Sequence, residues 1–159
     1  MAGYRKTHLF VLPPNDESSC YTPGSTFVNV PFGGFNFGLS ICYDLRFPEV
    51  ARALALQQGA NVFLVSSAWP LPRVAHLRAL AIARAIENQS YLVLANRTGM
   101  DAGVTCCGTS TIIDPSGAVL ASASGDGEEL LVAEISAETI AEVRNKMPVF
   151  ANRRTDLYG

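Results

Sequence analysis

The stretch FGLSICYDLRFPE, residues 37–49, runs an apolar segment into a polar turn and a proline, with one cysteine at the junction. The apolar part predicts a strand over residues 37–42. Pro48 suits the first turn of a helix, and Glu49 complements its positive end. The helix continues to about Gln58, where Gly59 supplies a stop. Cys42 therefore stands where a strand gives way to a helix, at the end of the strand that faces ligands in α/β proteins. Free cysteine is also among the most buried residue types, so an inert buried thiol and a nucleophile are both open readings. The glycines of a G-x-S-x-G elbow do not flank it, and that motif does not apply.

Working outward, NVFLVSSAWP (residues 61–70) is a β-rich run without alternation, the pattern of a strand buried on both faces. PRVAHLRALAIARAIENQS (72–90) has Val74, Leu77, Leu80 or Ala81, and Arg84 at helical intervals. YLVLA (91–95) predicts another buried strand. TSTIIDPSGAVLASA (109–123) predicts a hairpin about an Asp-Pro-Ser-Gly turn, and ELLVAEI (129–135) a further strand. SAETIAEVRNKM (136–147) predicts a helix with a serine cap and Glu138 close behind, followed by the tail PVFANRRTDLYG. Before the central stretch, residues 4–12 predict a strand, VLPPNDESSCYTPG a loop, and residues 26–30 a strand turning at Gly33-Gly34. Alternating strands and helices with a late hairpin make this an α/β layered domain.

The totals narrow the function. A chain of 159 residues with 48% apolar and 16% charged residues is one folded domain's worth. A net charge of −2 gives no electrostatic case for nucleic acid or an anionic membrane. No run approaches the length of a bilayer span, and Tyr4, Arg5, Lys6 and His8 interrupt any signal-like start. The four cysteines, Cys20, Cys42, Cys106 and Cys107, form no CxxC pair, which argues against zinc. With no secretory signal, reduced thiols in the cytoplasm are the expectation. No cofactor or metal is called for. Lysine is scarce: Lys6 and Lys146 stand against ten arginines. Read alone, Lys6 is an edge-strand lysine with a solvated head. Beside a thiol it would favour thiolate and could hold an oxyanion.

YRKTHLF, DESSCYTPG, GLSICYDLRFPE, ARAIENQ and PVFANRRTDLY, in that order, resemble the nitrilase superfamily of carbon–nitrogen hydrolases, in its ω-amidase and deaminated-glutathione-amidase-like branch. The resemblance spans about Tyr4 to Tyr158 and implies a four-layer αββα sandwich, with the whole chain, residues 1–159, as the C-terminal portion of that domain. It implies a small-molecule amide substrate and catalytic residues Cys42 as nucleophile, Lys6, and Glu17 as a second glutamate. The loop from Lys6 to Glu17 is shorter than the family's usual one. The backbone N–H of Tyr43 is implied as an oxyanion donor, and Trp69 as a pocket residue or a core one. The family's first glutamate, its general base, has no counterpart here, because it belongs to an N-terminal strand-helix portion. Weak turnover by this chain alone is therefore expected, as is a homo-oligomer that covers exposed apolar surface. Asp44 and Glu49 read as partners for Arg46 or the helix end, and Arg46 as an anchor of the turn, with a substrate-carboxylate role as its alternative. His76 reads as a helix-packing residue, with Leu77 where the branch has tryptophan. Arg97, Arg153 and Arg154 read as surface charges, and the tail as an assembly arm. Alternatives within enzymes are a nitrilase or N-carbamoyl-amine hydrolase; the alternative of another class is a non-catalytic interaction module.

Overall fold

Apolar strands that lack alternation must be covered on both faces, and the chain meets this with one mixed six-stranded sheet. The computed structural model describes residues 3–13 and 15–158; Met1, Ala2, Pro14 and Gly159 of the expected span lie outside the described residues. In chain order the strands are β1 (Asn29–Phe32), β2 (Phe35–Ile41), β3 (Val62–Ser67), β4 (Tyr91–Asn96), β5 (Thr111–Ile113) and β6 (Val119–Ser122). They lie in the order β6-β5-β4-β3-β2-β1, with β2, β3 and β4 parallel at the centre and the flanking pairs antiparallel.

The two parallel crossovers are helices α1 (Pro48–Gln58) and α2 (Val74–Asn88), and both lie on one face. α1 has the expected boundaries, with Pro48 in its first turn and Gly59 as its cap at φ +72°. It buries Val50, Ala51, Leu54 and Ala55, while α2 buries Leu77, Ala81, Arg84 and Ala85. These meet Phe63, Val65, Leu92, Leu94 and Ile113 of the sheet to form the main core. Gly38 on β2 is the point of closest approach: a Cβ there would stand 3.0 Å from Ala60 Cβ and 3.2 Å from Leu54 Cδ1. The buried Arg84 is satisfied by Leu45 O at 3.1 Å and Glu87 Oε1 at 3.1 Å.

The other face carries Phe35, Phe37, Leu64 and Val93, with Val62 and Tyr91 buried beneath Ile135 and Ile140. Ile140 belongs to α3 (Ala137–Lys146), which the Ser136 hydroxyl caps by accepting from Thr139 N at 3.1 Å. The Tyr91 hydroxyl accepts from Ser136 N at 3.1 Å, fixing α3 across the sheet. The second large sheet of a four-layer sandwich is not formed by the described residues.

Two expected strands are not strands. Residues 4–10 form no ladder; the polar groups of Tyr4, Thr7 and His8 bond instead to one buried side chain, described below, and only Val11–Leu12 pairs, with Asn15–Asp16. Residues 129–135 keep an alternating exposure but have no ladder partner among the described residues, and Leu130 is 90% exposed. The strand expected over residues 26–30 sits later, at Asn29–Phe32. The late hairpin is formed as expected, with Asp114 Oδ1 accepting from Ser116 N at 2.8 Å and Ala118 N at 2.9 Å.

Leu77 and Leu130 give a matched test of where stability resides. Leu77→Ala, at 0% exposure, is expected to cost about 2–5 kcal/mol in equilibrium denaturation. Leu130→Ala is expected to change it by less than about 0.5 kcal/mol.

Candidate active site

Cys42 follows directly on β2 and opens a short 3₁₀ turn, Cys42–Arg46. Its φ is +46°, a left-handed value that a non-glycine residue adopts only under constraint from its surroundings. The strand thus breaks sharply at the cysteine, and the thiol stands at the carboxyl end of the parallel strands, partly exposed.

The constraint comes from Asp44. Its carboxylate is fully buried and accepts from the Tyr4 hydroxyl (2.8 Å), Thr7 Oγ1 (3.0 Å), His8 N (2.9 Å) and Ile41 N (3.0 Å). One Oδ1 also lies 3.0 Å from His8 Nδ1, and the His8 ring stacks on Phe47 at 3.8 Å. A buried carboxylate needs such donors, and here they come from both the 4–8 segment and the turn after β2. The segment carrying Lys6 is thereby tied to the turn carrying Cys42. Asp44 is therefore not the Arg46 partner or helix-end group that its position suggested.

The Lys6 side chain is 11% exposed, and its ammonium donates to Glu17 Oε1 at 2.7 Å and Oε2 at 2.5 Å. Glu17 Oε2 also accepts from Phe10 N at 2.7 Å, and Glu17 N donates to Phe10 O at 2.9 Å. Gly24 N donates to Lys6 O at 2.8 Å, and a Cβ on Gly24 would meet Arg5 O at 2.3 Å, so only glycine permits this crossing.

Lys6, Glu17, Cys42, Tyr43 and Trp69 all line one cavity of about 510 Å³. Every site residue expected from the sequence lies in its wall. Trp69 is itself almost wholly buried: its N–H donates to Asn96 Oδ1 at 2.9 Å and its Nε1–H to Arg73 O at 2.9 Å. Asn96 in turn donates to Gly108 O at 2.5 Å and Cys107 Sγ at 3.2 Å, bracing this wall. Tyr43 packs edge-on against Phe10 and Phe47.

Arg46, read as a turn anchor with a substrate-carboxylate role as the alternative, is over the Trp69 ring at 4.6 Å and lines the cavity. Sequence reasoning missed other wall residues. Arg73 and Cys106 line it too, and burial pushes the Cys106 thiol up. Arg97, expected as a plain surface charge, pairs with Asp101 at 2.6 Å on the cavity rim. His76 is exposed on α2 and packs no core. Arg97 follows β4 directly and Arg73 closes the 3₁₀ turn Leu71–Arg73 between β3 and α2; a place beyond the carboxyl end of a parallel strand is the signal that could have marked them.

The carbon–nitrogen hydrolase family profile matches residues 1–145. The chain belongs to the carbon–nitrogen hydrolase family. The 2-oxoglutaramate amidase of Bacillus subtilis is 45% identical over 155 residues, covering 98% of this chain and 58% of that protein. A carbon–nitrogen hydrolase from Helicobacter pylori G27 superposes with a TM-score of 0.91 at 31% identity, over 98% of this chain and 59% of that one. A variant of an amidase from Nesterenkonia sp. AN1, with the acetamide moiety of fluoroacetamide covalently added at its active-site cysteine, matches with a TM-score of 0.73 at 31% identity. That match covers 79% of this carbon–nitrogen hydrolase chain and 47% of the amidase. The chain thus spans under two thirds of the length of these relatives.

The Asp44 cluster makes a pH prediction. Burial, with the Asp44 carboxylate beside it, pushes the Tyr4 phenol from 10.0 up to about 12. The folded state holds this proton more tightly than the unfolded state. The resulting stabilisation is complete below pH 10.0 and is lost as pH rises toward about 12. Melting temperatures measured across that range should fall, and Tyr4→Phe should flatten the fall.

Proposed function

We propose that this chain carries the acyl-transfer half of an ω-amidase-like hydrolase that cleaves the C–N bond of small amides. Cys42 is the nucleophile. Its sulfur attacks the amide carbon, and the developing oxyanion takes hydrogen bonds from the Lys6 ammonium and the Tyr43 backbone N–H. Collapse of the tetrahedral intermediate expels ammonia and leaves a thioester on Cys42, which water cleaves to the acid. Glu17 holds the Lys6 ammonium at the cavity wall, and Trp69 closes the wall beside it.

The observation that carries this reading is the left-handed Cys42, at a strand end, in the same cavity as a largely buried lysine clamped by a carboxylate. The adduct at the Nesterenkonia amidase's active-site cysteine supports the choice of nucleophile. The similarity to a 2-oxoglutaramate amidase supports the ω-amidase-like substrate.

A proton must leave the thiol and reach the departing nitrogen. The carboxylates of the cavity wall are Glu17, engaged by Lys6, and Asp101, engaged by Arg97. Neither is free to act as the acid–base, a role commonly worth about 10²–10⁴-fold. The chain by itself is therefore proposed to acylate and turn over slowly. The proposal extends to a homo-oligomer in the cytoplasm; the free state of all four cysteines suits that compartment. Among the described residues, no helix is long and apolar enough to cross a membrane.

Incubation of the purified chain with succinamate, followed by peptide mass mapping and ammonia assay, tests the scheme. The expected result is one succinyl adduct on Cys42 with ammonia released in step. Cys42→Ala should abolish both, and Lys6→Ala should slow acylation by about 10²–10³-fold. Absence of an adduct on Cys42, or acylation indifferent to Lys6→Ala, would contradict it. Rapid steady turnover lost in Cys42→Ala would contradict the slow step alone.

A further inference from the structure

Two thiols line the same cavity, Cys42 and Cys106. Cys42 comes to it from β2, and Cys106 from the chain that follows β4. Residues 67–70, which extend β3, run between them, and Pro70 forms an isolated antiparallel bridge with Cys106. The neighbouring Cys107 points the other way, as successive side chains of an extended chain do. It is 1% exposed within the main core, where its sulfur accepts from Asn96 at 3.2 Å. Cys106 belongs to neither apolar cluster and is left to the cavity wall. Cys20 is exposed on the loop after Glu17, its sulfur 3.5 Å from Ser19 Oγ, and does not line the cavity.

The two cavity thiols differ in readiness to react. Burial, opposed in part by Arg97, pushes the Cys106 thiol up, and a negative charge on Cys42 pushes it further. The sulfurs therefore lie within electrostatic reach of each other. Reaction with a peroxide needs a thiolate and access to it. Cys42 is the more accessible of the pair, and the Lys6 ammonium lines the same wall. Cys106, buried and held protonated, is spared the first oxidation and remains available for a second step. It also closes a two-stranded hairpin outside the main sheet, Met100–Asp101 with Val104–Thr105. So short a ladder yields locally at low cost, which lets Cys106 approach Cys42 to bonding geometry.

We propose that Cys42 and Cys106 form a reversible redox pair: a hydroperoxide oxidises Cys42, and Cys106 resolves it to an intramolecular disulfide that silences the site until a thiol reductant restores it. In the first step the Cys42 thiolate attacks the peroxide. The O–O bond breaks, an S–O bond forms, sulfur gives up two electrons, and the alkoxide or hydroxide leaving group takes a proton. In the second, the Cys106 sulfur attacks the sulfenic sulfur of Cys42. The S–S bond forms as the S–O bond breaks, and the departing hydroxide takes the Cys106 proton to leave as water. The inference rests on the reading of Cys42 as nucleophile and adds to that site a modification that regulates it.

The test treats the purified chain with hydrogen peroxide, blocks the remaining thiols in denaturant, and assigns every bridge by fragmentation of the non-reduced digest. The expected product is one Cys42–Cys106 disulfide. Alkylation of Cys42 by iodoacetamide should be lost in the oxidised protein and regained in full after dithiothreitol. Cys106→Ser should form no such bridge, and the same dose should carry its Cys42 on to sulfinic acid, which dithiothreitol does not reverse. Cys20→Ser should behave as the unaltered protein. Bridging of Cys42 to Cys20, to Cys107 or to a second chain overturns the proposal. So does a loss of Cys42 that dithiothreitol fails to reverse equally in the unaltered and Cys106→Ser proteins. The bridge map of the unaltered protein decides the matter even where Cys106→Ser fails to fold. A Cys42 that iodoacetamide never reaches before oxidation removes the hydrolase reading and this one with it, whereas a Cys42 that is alkylated but never bridged removes this one only.

Discussion

The buried carboxylate of Asp44 is the constraint on which the site depends. An unpaired carboxylate in that position would be costly, so its four side-chain and backbone donors must all be brought to it during folding. Three of those donors, from Tyr4, Thr7 and His8, lie on either side of Lys6. The fourth, Ile41 N, lies just before Cys42. Satisfying one buried charge therefore brings a lysine to the same cavity as a cysteine 36 positions away in sequence, with no ladder pairing between their segments among the described residues.

The rest of the fold makes that juxtaposition rigid. β2 delivers Cys42 at the end of a parallel core, between α1 and α2 on one face and the residues beneath α3 on the other. The left-handed backbone at Cys42 is held by the turn that follows it, where Phe47 N donates to Asp44 O at 3.0 Å. On the opposite wall, Asn96 links Trp69 to the 107–108 segment, so the tryptophan shares the rigidity of β4. Sites on strand ends and braced turns keep reacting groups in register better than sites on free loops.

What could be read in advance was local. Pro48 and Gly59 bound α1 because one suits a first turn and the other a left-handed cap, and neither depends on the remainder of the chain. The Asp-Pro-Ser-Gly hairpin and the Leu77, Ala81, Arg84 face of α2 are likewise set by near neighbours. Cys42, Lys6 and Glu17 were located by resemblance, and the fold brings all three to one cavity. What escaped was long-range. Residues 4–10 have a strand's composition, but Tyr4, Thr7 and His8 bond to a side chain far along the chain instead of to a neighbouring strand. Residues 129–135 keep a strand's alternation without a ladder partner among the described residues. Arg73 drew no reading from the sequence, and only the fold sets Trp69 and Phe10 around it.

The juxtaposition of Lys6 and Cys42 can be measured directly, because Lys146 is the only other lysine in the chain. An iodoacetyl active ester, among the shortest amine-to-thiol reagents, joins only groups already in near contact, and mass mapping of the digest identifies the pair. A Lys6–Cys42 link that disappears in Asp44→Asn is the predicted result. Its absence from the unaltered protein, with Cys42 modified but unlinked, would contradict the account.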